Sequence, residues 1–494
     1  MPKSVTGVQI MQGIGHREAK GFWTEVWMQV LGRPGAICGL SFIAIVAFFA
    51  IFSPLIANGH PIIMWTKLDD GSWGNPTSPL WRFLTPADIL LMLGGIIAPF
   101  WLLLPMKLPR STRLLILLMV SFQAGITVVV SDTVSGMAHS RDAAPWLLDL
   151  QAHILVLGSI RLPWIALIIA TCCALPFLFL GSFSQWWKTL LLVGFVVVIA
   201  SITTGIKWNK PLEKYDYWER AANNQIKAIY TPIPFGPNQA DSSLYSLAPG
   251  KTLGESYSGK LTDSDKRDRF YLGTDTNGQD VLSQILHACR LSISIGLVST
   301  GIAVTIGITV GAIMGYFGGW IDLVLYRVVE IFMAVPLLFL LIVAAAVLPR
   351  NTYVMMAIIG CFTWTGAARF TRAEFMKLRN QDFVQSARSV GLPLRSILFK
   401  HMLPNGVTPV LVDASFAIAA AIIIEANLSF LELGPTGQAS WGKLLNSATG
   451  DAGTFNWWMA VFPGAAIFLT VLSYNLIGEA LRDAIDPKLK KARV

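Results

Sequence analysis

Long uncharged apolar runs, separated by short charged connectors, dominate this chain. A helix needs about 20 mostly apolar residues to cross a bilayer, and runs of that kind recur throughout. The first extends from about Pro34 to Thr66, with its apolar centre at Cys38 to Ala57. Four more lie between Asp88 and Lys107, Arg113 and Asp132, Arg161 and Lys188, and Lys188 and Lys207. Later runs fall between Arg290 and Asp322, Glu330 and Arg350, Arg350 and Arg369, and Asp451 and Glu479. A further one, from Asn405 to Ser429, is interrupted only by Asp413 and Glu425. The pattern predicts an all-α integral membrane protein with about ten transmembrane helices. Leu150 to Ile160 is too short to span alone and leaves that number open by about one. Before the first span, Gly21 to Gly32 gathers aromatic and aliphatic residues on one side and reads as an interfacial helix. Arg33-Pro34-Gly35 separates it from the span.

Composition agrees. Of 494 residues, 54% are apolar and 14% charged, with a mean hydropathy of +0.57, against about 25% charged in soluble domains. A soluble enzyme would leave far too much apolar surface in water. The net charge of +9 would fit nucleic acid if it formed patches, but in a membrane protein it marks cytoplasmic loops. With the N-terminus inside and the spans alternating, 21 of the 38 Lys and Arg fall on the cytoplasmic side. Most of the rest lie in one long outer segment, which the positive-inside rule excludes. Both termini are therefore expected in the cytoplasm, and no cleavable signal peptide is expected ahead of the first span. The cysteines lack CxxC spacing and the histidines lack ligand spacing, so no metal site is expected.

The spans fall into groups. Residues 1–65 hold the interfacial helix and a first anchor, 66–206 a four-helix insert, 207–286 a polar exoplasmic segment that reads as mainly loop, and 287–494 five closely spaced helices. The halves do not correspond, which argues against an inverted-repeat secondary transporter.

Between two of the late spans lies a long polar stretch, 371–404. Its first part, to about Val390, has helical character with Phe375, Met376, Phe383 and Ala387 among the charges. Gly391-Leu392-Pro393 breaks it, and a second short helix from Leu394 to His401 ends at Leu403-Pro404. A basic helix–break–helix with an apolar stripe suits docking into a groove on a soluble partner, or resting on lipid headgroups. The residues alone leave both open.

This stretch resembles the EAA loop of ABC-importer permeases: Glu-Ala-Ala, three residues, Gly, nine residues, a short run, then Leu-Pro. Here Gln385-Ser386-Ala387 precede Gly391 by three residues, and nine more lead to His401-Met402-Leu403-Pro404. Gln385 and Ser386 stand where the family has Glu and Ala. Further stretches narrow the resemblance to the C-type subunit of dipeptide/oligopeptide/nickel permeases. They are Phe22 to Pro61, Tyr271-Leu-Gly-Thr-Asp-Thr-Asn-Gly-Gln-Asp-Val-Leu282, Gly315-Tyr-Phe-Gly-Gly-Trp-Ile-Asp322, Glu425 to Gly434, Ser440-Trp-Gly442 and Leu481 to Leu489. The resemblance covers about 22–65 and 270–490 and leaves the insert without a counterpart.

The resemblance implies a type I permease core in the bacterial inner membrane. It also implies a second homologous permease subunit, two cytoplasmic ABC ATPase domains and an extracytoplasmic substrate-binding protein as partners, with the lipid bilayer around them and no nucleic acid. Gln385, Ser386, Ala387, Gly391, Leu392, Pro393, His401, Leu403 and Pro404 would then be the ATPase-coupling residues. ATP and magnesium would sit in the partner ATPases, and this chain would bind no cofactor and catalyse no reaction. Its substrate would be peptides or a related small solute such as a nickel complex.

Other motifs fail on spacing. Pro249-Gly250-Lys251-Thr252 lacks the first glycine of a phosphate loop, since Tyr245 stands there. A calcium loop from Asp275 would need Gly and Glu at the positions of Asp280 and Leu286. Asp275 and Asp280 read either as an outer gate or partner contact, or as caps for the following helix. Asp413 is the charge deepest inside a predicted span, and intramembrane acids default to a pathway role. It is expected at the translocation cavity, with helix packing as the rival reading. Glu425 is expected to be a structural or gating residue near the outer end. An ion-driven secondary transporter, or a membrane enzyme or scaffold built on the insert, is the alternative to an importer permease.

Overall fold

The computed structural model describes residues 22–84, 86–103, 217–449 and 455–485, with isolated positions between 113 and 121 and strands at 154–157 and 160–163. Helix α1 (Phe22–Leu31) precedes α2 (Pro34–Ile56). Arg33 is extended and Pro34 opens α2, so the two are separate helices. Val26 and Val30 of α1 pack on Ala480 and Ala484, leaving Trp27, Met28 and Leu31 exposed.

Strand β1 (Ile63–Thr66) follows, then a five-residue helical turn Pro79–Phe83, and then α3 (Pro86–Leu103), the long apolar helix described in the insert. Arg113 closes the C-terminal end of α3: its guanidinium donates to the Leu102 carbonyl at 3.2 Å, and its own carbonyl accepts from Trp101 Nε1 at 3.2 Å. Strands β2 (Ile154–Leu157) and β3 (Ile160–Pro163) pair antiparallel. Within the stretch too short to span, residues 154–157 are thus a strand. β3 also takes the first residues of the run expected from Arg161. The rest of that run, the run 188–207, and all but isolated positions of the run 113–132 lie outside the described residues.

Strand β4 (Ile226–Ile229) pairs antiparallel with β1, Ile63 opposite Ile229 and Thr66 opposite Ile226. The described part of the polar segment around it has a core of its own. Trp218, Phe235, Leu244, Leu253 and Phe270 bury against one another, with Phe235 and Phe270 stacked at 4.3 Å.

The second half of the chain is a helical bundle. It comprises α4 (Val281–Phe317), α5 (Gly319–Ala334), α6 (Leu337–Val347), α7 (Thr352–Thr363), α8 (Thr365–Leu378), α9 (Asp382–Ser389), α10 (Thr408–Phe430) and α11 (Trp457–Ile485). Among the described residues, α2, α4, α10 and α11 are each long and apolar enough to cross a membrane. The bent pairs α5–α6 (83°) and α7–α8 (42°) raise the number to six. The run expected between Glu330 and Arg350 is therefore not one straight helix. Pro336 pushes Val335 out of helical geometry (ψ 128°), and the chain turns there.

Contacts fix the helix directions. Arg290 Nε donates to the Ala50 carbonyl at 3.0 Å and His287 Nε2 to the Ala57 carbonyl at 2.8 Å, so α4 runs antiparallel to α2. Arg33 and Asp483 pair at 2.6 Å, setting α11 antiparallel to α2. Along α4, Gly307, Gly311 and Gly315 recur every fourth residue and let α8 approach closely. A methyl at Gly307 would stand 2.5 Å from Ala367 Cβ, and one at Gly315 2.5 Å from Phe375 Cβ. Small residues at this spacing are the usual means of close packing where no water drives helices together.

Candidate functional site

The candidate coupling element begins where α8 ends. A turn at Arg379 to Gln381 interrupts the helix expected to run to Val390, and α9 restarts at Asp382 with Gln381 extended. The end of α9 is a complete Schellman motif. Gly391 takes φ +75°, its N–H donates to the Arg388 carbonyl at 2.9 Å, and the Leu392 N–H donates to the Ala387 carbonyl at 3.2 Å. Glycine adopts this left-handed geometry without the Cβ penalty. Pro393, extended, then starts the next helical pieces: Leu394–Ser396, a π-helical turn Ile397–Met402, and Leu403–Gly406. The chain therefore does not stop at Leu403-Pro404. It continues helically, and after Val407 enters α10.

Of the four apolar residues picked out along this stretch, Phe375 and Ala387 face inward and Met376 is half-buried, while Phe383 stays exposed. Phe375, Val384, Ala387, Ile397, Leu398 and Met402 form one cluster with Ala312 of α4, and Tyr316, Leu392 and Leu403 pack against it. Gln385, Ser386, Gly391 and Pro393 are exposed, as is Pro404; His401 is half-buried. Val390, at the rim beside Gly391, is 79% exposed. The element is thus a rigid knob: an apolar underside fixed to α4 and α8, and an upper face with Gln385, Ser386, Val390 and Pro393.

Two cations fasten it, and the sequence reading missed both. Arg388 of α9 lies over the Tyr316 ring at 4.5 Å. Arg372 of α8 makes a bidentate pair with Asp322 of α5, at 2.5 and 2.7 Å, and lies over Tyr326 at 4.6 Å. Nothing in local spacing joins residues 50 apart in sequence; only the packing of α5 against α8 does.

At the other end of the bundle, Glu425 of α10 is 0% exposed. It accepts hydrogen bonds from Ser429 and Ser440, each at 2.7 Å, and a long one from Ser292 of α4 at 3.5 Å. Ser440 Oγ in turn accepts from the Gly442 N–H at 3.1 Å. One carboxyl thereby ties α4, α10 and the Ser440-Trp441-Gly442 segment together. Ser429 was findable, one helical turn beyond Glu425. The other two serines were not.

Asp275 and Asp280 build the lead-in to α4. Asp275 Oδ1 accepts from the Asn277 and Gln279 N–H groups at 2.8 and 2.9 Å, and Oδ2 accepts from Gln284 Nε2 at 2.8 Å. Asp280 is the N-cap of α4, its Oδ2 accepting from the Ser283 N–H at 2.7 Å, while its Oδ1 is buried without a partner. Burial is the main cause that pushes the Asp280 carboxyl up to about 7, with Asp275 adding repulsion. Asp280 thus caps α4, while Asp275 closes the turn that leads into it.

Asp413 lies on α10 where α8 passes, next to Gly366, half-buried and outside every ion pair of the described residues. Among those residues no group of His, Cys, Asp and Glu could hold a metal ion.

Among the described residues, four helices and two bent pairs are long and apolar enough to cross a membrane, and an amphipathic knob sits at one end of the bundle. Residues 307–491 match the family model "Binding-protein-dependent transport system inner membrane component". The chain is 38% identical over 221 residues to the glutathione transport system permease protein GsiD of Pectobacterium atrosepticum, spanning 44% of this chain and 73% of that one. It is 37% identical over 219 residues to the oligopeptide transport system permease protein OppC of Haemophilus influenzae (44% and 70%). To the dipeptide transport system permease protein DppC of Alkalihalophilus pseudofirmus it is 35% identical over 224 residues (44% and 72%). The chain belongs to this family, the multi-pass inner-membrane permease subunits of ABC importers.

Proposed function

We propose that this chain pairs with a second, homologous permease and two cytoplasmic ATPase domains, and imports peptides or a related small solute delivered by an extracytoplasmic binding protein. The observation that carries the reading is the knob around Gly391. Its upper face presents Gln385, Ser386, Val390 and Pro393, while its underside is bolted to α4 and α8. A displacement imposed on that face by ATPase closure reaches two transmembrane helices without loss in a floppy loop. ATP and magnesium belong to the partner chains, and this chain supplies the moving path. The distribution of Lys and Arg supports a cytoplasmic knob and cytoplasmic termini, with Glu425, Asp275 and Asp280 at the outer face. There they position the gate, and Asp413 faces the pathway from mid-helix.

Affinity purification of the full chain, co-expressed with its neighbouring transport genes, tests this. An ATPase and a second permease should co-purify, and Gly391→Trp should release the ATPase while the permease pair stays. Capture of neither partner, or a Gly391→Trp variant that holds the ATPase normally, rejects the reading.

A further inference from the structure

The insert enters and leaves the permease through one point. β1 and β4 are the two arms of an antiparallel ladder whose last pair is Thr66–Ile226, and the Lys67 N–H continues it to the Gln225 carbonyl at 2.9 Å. A tight turn usually joins such arms; here residues 68–224 take its place. Because the ends meet, such a segment adds to the protein without displacing either arm.

The segment is nonetheless gripped by the transport helices. α3 packs on α2, where a methyl at Gly95 would stand 3.0 Å from Ile51 Cγ2. Asp88, in the first turn of α3, forms an ion pair with Arg290 of α4, both side chains largely covered (11% and 27% exposed). The same guanidinium donates through Nε to Ala50 of α2. Three helices therefore converge on Arg290. Two residues further along α4, Ser292 reaches Glu425, and on the opposite end of that same helix Ala312 and Tyr316 carry the knob. Charges withdrawn from water are costly unless matched, so Asp88 is what makes Arg290 tolerable at this place.

We propose that the Asp88–Arg290 latch makes α3 a positioning element for the outer half of α4. It holds that half of the helix against α2 and so sets how readily the gate end follows the coupling end. The transport part of this proposal rests on the importer reading; the latch itself does not.

Asp88→Asn, in the full chain co-expressed with its partners, is the central test, with Arg290→Lys as the conservative companion. Asp88→Asn should leave ATPase co-purification intact, lower maximal uptake more than it changes the apparent KM, and speed hydrogen exchange in the outer half of α4. The expected factor is about fivefold, the equivalent of roughly 1 kcal/mol, with exchange around 305–317 unchanged. Arg290→Lys should retain part of both. Unchanged exchange and unchanged uptake in Asp88→Asn would overturn the latch. Exchange can be read even in a preparation that captures no ATPase, so failure of the importer reading stays distinguishable.

Discussion

The Leu392 N–H donates to the Ala387 carbonyl at 3.2 Å, and this bond, with the Gly391 bond to Arg388, closes α9. The left-handed φ of Gly391 is what allows it. Gly391→Ala should cost about 1–2 kcal/mol locally and lower uptake with partial loss of ATPase. Uptake assays beside quantified co-purification check this.

Glu425 should be worth more to the fold than any exposed acid. Glu425→Ala strands the Ser429 and Ser440 hydroxyls and opens a void, at roughly 1–3 kcal/mol for each unsatisfied group. Ser440→Ala should cost about 1 kcal/mol. Thermal unfolding of the purified chain should rank the variants Glu425→Ala, Glu425→Gln, Ser440→Ala, from most to least destabilised.

Asp413 has no ion-pair partner among the described residues. If it faces the pathway, Asp413→Asn and Asp413→Ala will change uptake kinetics while assembly and thermal stability stay near wild type. Unchanged kinetics in both variants would remove it from the pathway.

The raised carboxyl of Asp280, at about 7 against an ordinary 3.8, links stability to pH. Between those values the folded chain holds a proton that the unfolded chain releases, so stability falls as pH rises from about 4 to 7. Asp280→Asn keeps an N-cap and removes the titration. Its unfolding temperature should vary less between pH 5 and pH 8 than that of the wild type, as differential scanning fluorimetry would show.

The glycines of α4 are not equivalent. A side chain at Gly311 meets Thr371 Cβ at 2.7 Å, whereas nothing lies within 4 Å of a methyl at Gly301. Gly311→Val should force α4 and α8 apart, lowering stability by about 1–3 kcal/mol and expression with it. Gly301→Ala should be neutral or stabilising by up to about 1 kcal/mol. Measured yields and melting curves of the two variants separate these outcomes.

Much of this was legible in the chain itself. Apolar run length marks the six core spans because a bilayer admits only backbone that satisfies its own hydrogen bonds, and Gly391-Leu392-Pro393 marks the helix break because its residue types restrict φ. The failures share a cause. The 150–160 stretch is apolar enough for a helix or a strand, and run length alone does not separate them. Pro336 lay inside an apolar run and bent it by 83°. The stripe of the coupling element showed that a face is buried, but not against what.

The sequence by itself therefore determined membrane insertion, the places where helices stop, the orientation signal and the family pattern, because each depends on local chain chemistry. Tertiary structure alone decided that Val384, Ile397 and Met402 turn inward onto α4, that Asp322 holds Arg372, that Ser292 and Ser440 reach Glu425, and that the insert closes on itself at Thr66 and Ile226 while latching Arg290 through Asp88. These contacts join residues tens to hundreds of positions apart. No local periodicity encodes such pairings; they exist only once the helices have packed and brought the charges out of water together.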